Sequence, residues 1–130
     1  MAKERMNLKV RLPPYVAPRY HWRERIHEEI CRVMRESRIR YRPEDRLQLD
    51  IWLYLDRTAL HMHDVDNRLK DIMDALQGRV GGSKKVVRLP ALILNDSQIF
   101  KVTIEKLNPP GQSHGLGHLT VRKYNASFGR

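Results

Sequence analysis

Two spacings of apolar residues run along the chain and predict its elements. Strict alternation in "RLQLDIWLYLD" (46–56) predicts a long strand with one buried face. The tryptophan and tyrosine on its other face indicate that this side is also partly covered. The buried face would carry Leu47, Leu49, Ile51, Leu53 and Leu55, and the other face Gln48, Asp50, Trp52, Tyr54 and Asp56.

Spacings of three and four residues predict two helices. The second is expected to begin near Asp66, whose carboxylate suits an N-cap, and to stop at Gly78. Trp22 and Trp52 are expected in the core or in contacts between subunits rather than as stacking platforms for bases. The buried stripes would be Trp22, Ile26, Ile30, Val33 and Met34 in "PRYHWRERIHEEICRVMRESR" (18–38), then Leu69, Ile72, Met73 and Leu76.

Shorter segments complete the predicted order. A first strand in "NLKVRLPP" (7–14) is stopped by prolines, "LPALIL" (89–94) suits a short buried strand, and "FKVTIEKL" (100–107) and "HLTVRKY" (118–124) suit two more. Turn-rich loops, "GRVGGSKKVVR" (78–88) and "NPPGQSHGLG" (108–117), lie between them. We therefore expect a single α+β domain over residues 1–130, with a mixed sheet and two main helices on one face.

The charge of the chain changes the expected partner. Lysine and arginine total 25 against 15 acidic residues, a formal net charge of +10. Such an excess favours a polyanion, although an ordinary basic protein has the same composition. Three basic clusters occur along the chain: Arg19, Arg23 and Arg25; Arg35, Arg38, Arg40 and Arg42; and Arg79, Lys84, Lys85 and Arg88. The last of them, around the glycine-rich loop, is the one we expect to contact DNA.

Cysteine usage and hydropathy bear on the compartment. Cys31 is the one cysteine, so no internal disulfide forms. The chain shows no signal-peptide pattern and no apolar run of membrane-spanning length. We expect a cytoplasmic protein without a membrane partner.

Acidic residues concentrate in "HDVDNRLKDIMDAL" (63–76), which is unusual in so basic a chain. Helical spacing aligns Asp66, Lys70 and Asp74, and this alone fits a solvated face with two ion pairs equally well. If Asp64, Asp66 and a third carboxylate converged to about 5 Å, each pair would repel by roughly 3 kcal/mol at an effective dielectric near 20. A divalent cation would relieve most of that repulsion.

The candidate for the third carboxylate is Asp96 in "LILNDSQIF" (92–100), at the end of an apolar run. Local sequence favours a simple Asn-Asp turn there. A zinc site of four histidines is disfavoured because no thiolate supports it. These histidines are His61, His63, His114 and His118.

Two segments, "DVDNRLKDIMDAL" (64–76) and "NDSQI" (95–99), resemble the signature of the RusA family of Holliday junction resolvases. That signature runs Asp-x-Asp-Asn, a lysine three residues on, Asp-Ala-Leu, then an acidic pair before x-Gln-Ile/Val. The chain departs from this signature in two ways. Asn95 stands where the signature has the first residue of the acidic pair, and the segment between Asp74 and Asp96 is longer than in the family. In order of elements the resemblance covers nearly the whole chain.

The resemblance implies a role for each matched residue. The essential carboxylates, which would also bind the metal, fall on Asp64, Asp66 and Asp96, and the essential lysine on Lys70. Supporting positions fall on Asn67, Asp74 and Gln98. The family further implies a RusA-like fold and a homodimer.

The implied activity is a Mg²⁺- or Mn²⁺-dependent endodeoxyribonuclease that binds four-way DNA junctions and hydrolyses paired phosphodiester bonds, in DNA recombination and repair. Two alternatives stay open from the residues. One is a protein of the same fold that binds junction or duplex DNA without cleaving it, for which Asn95 is the local hint. The other is a nuclease that prefers other branched substrates.

Overall fold

A mixed sheet with two helices against it forms the part of the chain that the structure describes. The structure is a computed structural model, and it describes residues 7–55, 62–82, 86–87, 90–108 and 117–125. The elements in chain order are β1 (Leu8–Leu12), α1 (Arg19–Ser37), β2 (Leu47–Tyr54), α2 (Val65–Leu76), β3 (Arg79–Val80), β4 (Val86–Val87), a 3₁₀ turn (Asp96–Gln98), β5 (Ile99–Leu107) and β6 (Gly117–Lys123).

The main sheet has the strand order β1-β6-β2-β5. β6 pairs antiparallel with both β1 and β2, whereas β2 and β5 are parallel. The sheet is therefore mixed, and the predicted α+β class is confirmed. A separate two-stranded ladder of β3 and β4 lies in the segment expected to be a loop.

The parallel pair of β2 and β5 determines the direction of α2. Leu47 pairs with Ile99 where both strands begin, and Tyr54 pairs with Leu107 where both strands end. Parallel neighbours need a crossover from the end of one strand to the start of the next, and helices commonly provide it. α2 lies in this crossover and runs back along the sheet.

Two contacts anchor the two ends of α2, one beside the end of β5 and one beside the segment before its start. Lys106 Nζ, near the end of β5, donates to the carbonyl of His63 at 2.9 Å. At the other end, the backbone N–H of Leu92, which lies before β5, donates to the carbonyl of Leu76 at 2.9 Å. The start of α2 therefore lies beside the end of β5, and its end lies beside the segment that precedes β5.

The core fills the space between the sheet and the helices. The alternation predicted for β2 is confirmed, because its inward residues are buried, and both helices join the same apolar cluster on one face of the sheet. Trp22, at 2% exposure, belongs to this core as expected. The cluster includes Leu47, Leu49, Ile51, Leu53 and Leu55, with Ile26, Ile30 and Met34 from α1 and Ile72, Ala75 and Leu76 from α2.

The second tryptophan corrects one expectation. Trp52 is 37% exposed, because strand alternation places it on the sheet face opposite the helices. A core position for Trp52 is therefore wrong. The expectation that this second face is partly covered holds at Gln48 and Asp50, which are both buried.

Two local boundaries also differ from expectation. Asp66 is not the N-cap of α2; the cap is Asp64, whose extended backbone (φ −87°, ψ 138°) precedes the first helical residue. Residues 90–94 form no strand, although Leu92 and Ile93 are buried. Their backbone N–H groups donate to the carbonyl of Leu76 instead of to a strand ladder.

Hydropathy of the helices adds one finding. Within the described ranges, no helix combines the length and the apolar character needed to cross a membrane.

Candidate functional site

The first two candidate carboxylates lie together at the start of α2. Asp64 caps the helix, and its carbonyl accepts from the backbone N–H of Arg68 at 3.1 Å. Its carboxylate Oδ2 accepts a long hydrogen bond from Asn67 Nδ2 at 3.4 Å. Asp66 lies in the first turn, and both carboxylates are exposed. Negative charge is favourable there because the helix dipole is positive at this end.

Lys70 is exposed one turn after Asp66 on the same side of α2. Asp74, one turn further, is only 9% exposed. The three residues therefore do not form a uniformly solvated face. The exposed polar surface of α2 is concentrated at its first two turns, around Asp66 and Lys70.

Asp96 opens the 3₁₀ turn before β5 and is exposed. The preceding residue, Asn95, caps this turn by accepting from the backbone N–H of Ser97 at 2.8 Å. Gln98 is 6% exposed and fixes the turn to the loop before β2, with its Nε2 donating to the carbonyls of Arg42 at 2.9 Å and of Asp45 at 3.1 Å. Asp96 thus stands on a rigid turn.

The neighbours of Asp96 belong to the C-terminal end of α2. Asp96 lines a recess of about 330 Å³ with Asp74, Gln77, Arg79 and Asn95. At about 1.5 Å per residue, α2 separates the level of Asp64 from that of Asp74 by about 15 Å. Within one chain, Asp96 therefore does not meet Asp64.

Convergence of three carboxylates was the condition for strong mutual repulsion, and a single chain does not meet this condition within its described residues. Across the described residues, no group of three or more histidine, cysteine, aspartate or glutamate side chains is placed to share one metal ion. One chain brings together Asp64, Asp66 and Lys70 at one end of α2, and Asp74 and Asp96 at the other.

A buried charge cluster joins α1 to α2 beneath the candidate site. Asp71 is fully buried, and its Oδ1 accepts from Arg19 Nη2 at 3.0 Å and from Arg23 Nη1 at 3.2 Å. Arg68 Nη2 lies 3.1 Å from Oδ2 as an ion pair without hydrogen-bond alignment. Arg19 also donates to the carbonyl of Asn67 at 3.3 Å. The cluster therefore fixes the first turns of α2 against α1.

Arg68 connects this cluster to His63, the residue before Asp64. The Arg68 guanidinium stacks over the Tyr15 ring at 4.5 Å from its centroid and donates to His63 Nδ1 at 3.1 Å. Burial, followed by the positive charges of Arg68 and Lys106, lowers the pKa of His63 below its ordinary value. A neutral imidazole that accepts at Nδ1 is consistent with this environment.

Sequence reasoning missed this cluster. It placed Arg19 and Arg23 in a basic cluster that could contact phosphate or solvent, whereas both bind Asp71. Arg68 and Asp71 share the buried side of α2 with Ile72 at helical spacing. That position on an apolar stripe was the available signal that the two charges neutralise each other in the interior.

The predicted DNA-contacting loop is described only in part. Arg79 is exposed, and its Nε donates to Gln77 Oε1 at 3.4 Å. Lys84, Lys85 and Arg88 lie outside the described residues. Their contact with DNA stays a prediction.

Comparison with known proteins adds no family assignment. No protein-family model matches the chain, and no curated protein matches it.

Proposed function

We propose that this protein is a Mg²⁺- or Mn²⁺-dependent endodeoxyribonuclease that resolves four-way DNA junctions, as a homodimer with a RusA-like fold. The observation that carries the proposal is the exposed pair Asp64 and Asp66 at the start of α2, with Lys70 one turn away, on a chain of net charge +10. Exposed carboxylates are costly on a surface that attracts a polyanion unless a cation binds between them and the phosphates.

The donor set suits a hard divalent cation. Asp64, Asp66 and Asp96 are exposed carboxylates, the ligand type that Mg²⁺ prefers, and Asp64 and Asp96 each stand on a fixed helix cap or turn. When bound, such an ion polarises the scissile phosphate and lowers the pKa of a coordinated water. No covalent intermediate is required.

Lys70 supplies the positive charge of the site. Its exposed ammonium group follows Asp66 by one helical turn, within reach of a phosphate that approaches the first turn of α2. In the proposed reaction it stabilises charge that develops on the phosphoryl oxygens or orients the attacking water. Asn67 holds the Asp64 carboxylate, and Gln98 holds the turn that carries Asp96.

The position of Asp96 gives the proposed homodimer a chemical role. Because about 15 Å of helix lies between the two ends of α2 in one chain, Asp96 reaches a site at the other end only from a second copy or after a large rearrangement. We favour the second copy, since the hydrogen bonds of Gln98 and Asn95 fix the Asp96 turn. In the symmetric dimer, each site would combine Asp64 and Asp66 of one subunit with Asp96 of the other.

The test is cleavage of a synthetic four-way junction with Mg²⁺. The wild type is expected to give paired symmetric nicks, and Asp64→Asn and Lys70→Ala to lose cleavage while they still bind the junction in EDTA. Glu36→Gln, which alters an exposed carboxylate of α1, is the matched control and should cleave normally. Absence of cleavage by the wild type, with Mg²⁺ and with Mn²⁺, would exclude the nuclease. Parallel reactions contain flaps and plain duplexes, and faster cleavage of either would identify a substrate preferred over the junction.

A second candidate function is favoured by the separation of the carboxylates. A protein that binds junction or duplex DNA without cleaving it needs no convergence of Asp64 and Asp96. It predicts salt-sensitive binding that Asp64→Asn leaves unchanged, and no hydrolysis under any metal condition. The same assay therefore separates the two candidates.

A further inference from the structure

The sheet face opposite the helices, which we call the outer face, is lined by outward-pointing residues of all four strands of the main sheet. The registers place Arg11 beside His118, His118 beside Trp52, and Trp52 beside Glu105, so these four form one row across the sheet. A shallow groove of about 700 Å³ lies over this region and reaches Lys9 and Tyr54 among others.

Aromatic rings occupy the middle of the outer face. Trp52 is 37% exposed, which is high for a tryptophan, a residue type that is mostly buried. The other tryptophan, Trp22, is only 2% exposed. Tyr54 lies two positions along the same strand, about 6.6 Å away, and is half-buried. His118 packs its ring edge-on against Tyr54, with ring centroids 5.3 Å apart. The rings thus form an accessible aromatic strip held by the sheet.

Cationic side chains surround this strip. Among the described outward-facing strand positions, the basic residues are Lys9, Arg11, Lys101 and Arg122, and the acidic residues are Asp50 and Glu105. Asp50 is already neutralised, because it accepts from Arg122 Nε at 2.9 Å and from Thr103 Oγ1 at 2.8 Å. Glu105 on the edge strand β5 is the other negative charge, so the β1 side of the groove is positive.

We propose that the outer face binds single-stranded nucleic acid, with unpaired bases stacked on Trp52 and Tyr54 and phosphates bound by Lys9 and Arg11. Exposed aromatic rings flanked by cations are the combination that single strands recognise, because every base has a stacking face and every nucleotide a negative charge. A second copy packed face to face would bring its own Lys9 and Arg11 against an equally basic surface, which disfavours that occupant.

This site goes beyond the proposed nuclease function. It lies on the opposite side of the sheet from the helices, uses none of Asp64, Asp66, Asp96 or Lys70, and needs no metal ion. Binding at the outer face can therefore be measured in EDTA and in the Asp64→Asn variant, so failure of one proposal leaves the other unaffected.

The experiment follows both the oligonucleotide and the exposed tryptophan. A labelled oligothymidylate of about 15 nucleotides, within the range of known single-strand sites, is titrated with the full chain in EDTA and its anisotropy recorded. Tryptophan emission is recorded in the same titration. We expect quenching of the exposed Trp52, while the buried Trp22 is unaffected; a Trp22→Phe variant isolates the Trp52 signal.

The variants separate stacking from charge. Trp52→Ala should weaken binding roughly 5- to 150-fold, equivalent to about 1–3 kcal/mol for one stacked base, and Trp52→Phe should restore most of the affinity. Arg11→Ala should lower the slope of log affinity against log salt by about 0.7. Arg32→Ala, which removes one positive charge from the exposed side of α1, is the matched control and should change neither quantity measurably.

Several results would overturn the proposal. Unchanged affinity in Trp52→Ala, or no change of Trp52 emission on saturation, would place the oligonucleotide elsewhere. Equal quenching by heparin, a polyanion without bases, would exclude stacking. Quenching that follows protein concentration, together with a sedimenting dimer that Trp52→Ala abolishes, would assign the face to a second copy of the chain.

Discussion

At the scale of single residues, Asp71 is the charge on which the candidate site depends most. Three guanidinium groups face this one buried carboxylate, and the side chains of Arg23 and Arg68 are themselves 7% and 8% exposed. A buried charge that loses its partner is destabilising because neither water nor another ion replaces that partner. Asp71 therefore stabilises the packing of α2 on α1 rather than taking part in chemistry.

Asp71→Asn is expected to lower the free energy of unfolding by about 3–5 kcal/mol, because it leaves buried arginines without a counter-charge. Urea denaturation followed by circular dichroism measures the change. The matched control is Glu29→Gln, which alters an exposed ion pair on α1 and should have little effect. A loss for Asp71→Asn below about 1 kcal/mol would contradict the proposed role of the cluster.

The environment of Asp50 leads to a second prediction, which concerns how the free energy of unfolding depends on pH. Burial alone would raise the pKa of Asp50, but hydrogen bonds from Thr103 and Gln48 and the charge of Arg122 together lower it below its ordinary value. A carboxylate with a lowered folded pKa stabilises the protein above the unfolded value of about 3.9, and this stabilisation is lost as pH falls through the folded pKa.

Asp50→Asn should therefore destabilise the protein near pH 7, by about 1–3 kcal/mol, and the difference from wild type should shrink as pH falls below about 4. Urea denaturation at a series of pH values measures both. A difference that stays constant or grows on acidification would show that the Asp50 carboxylate is not stabilised in the folded state.

At this scale, sequence reasoning succeeded where the pattern of residue types allowed one structural interpretation, as in the alternation of β2. The alternation of β2 identified its buried leucines. Asp64 and Asp66 at the start of α2 are exposed, and their metal-binding role stays a prediction. Sequence reasoning did not foresee the buried partner of Arg19 and Arg23, because a basic residue looks the same in sequence whether it faces solvent or a buried carboxylate. Only the packing of α1 on α2 shows that both bind Asp71.

At the scale of elements, the start of β6 approaches β2 closely. A Cβ atom on Gly117 would lie 2.4 Å from the carbonyl oxygen of Trp52, a distance that backbone atoms cannot absorb without a shift. Gly82, by contrast, has room, since its nearest atoms belong to the Tyr20 ring at 3.7 Å. These two glycines therefore make a matched pair.

Gly117→Ala should destabilise the protein by about 1–3 kcal/mol, because overpacking against a strand forces the backbone to move. Gly82→Ala should have a much smaller effect. Thermal denaturation of both variants under one condition makes the comparison. Equal stabilities for the two variants would contradict the close pairing of β6 with β2.

The elements that sequence predicted well are those whose period repeats several times. Both helices and the strands β1, β2, β5 and β6 match their predicted segments to within about two residues, as boundary uncertainty allows. The described part of the predicted strand 89–94, residues 90–94, was assigned wrongly because a short apolar run fits a strand or a buried loop equally well. In the described part, residues 92 and 93 satisfy their backbone N–H groups on the carbonyl of Leu76.

At the scale of the whole molecule, the parallel pairing of β2 with β5 governs the candidate site. That topology sends α2 back along the sheet, so Asp64 and Asp96 stand at opposite ends of the helix. Sequence could propose the three carboxylates but could not fix their separation, since the distance depends on strand order. The proposed homodimer is the arrangement in which both ends of α2 take part in one site.

Complementation between inactive variants tests the shared site of the proposed homodimer most directly. Asp64→Asn and Asp96→Asn are each expected to be inactive on a four-way junction with Mg²⁺. When the two are co-expressed, random pairing of equal amounts restores intact sites at about a quarter of the wild-type number, seen as single nicks. The control pair is Asp64→Asn with Asp66→Asn, which alter the same end of α2 and should restore nothing.

Nicking by the first pair and none by the control pair is the predicted result. If the first pair stays inactive while mixed dimers are present and the wild type cleaves, the carboxylates of two subunits do not share a site, and the proposed dimeric metal site is contradicted.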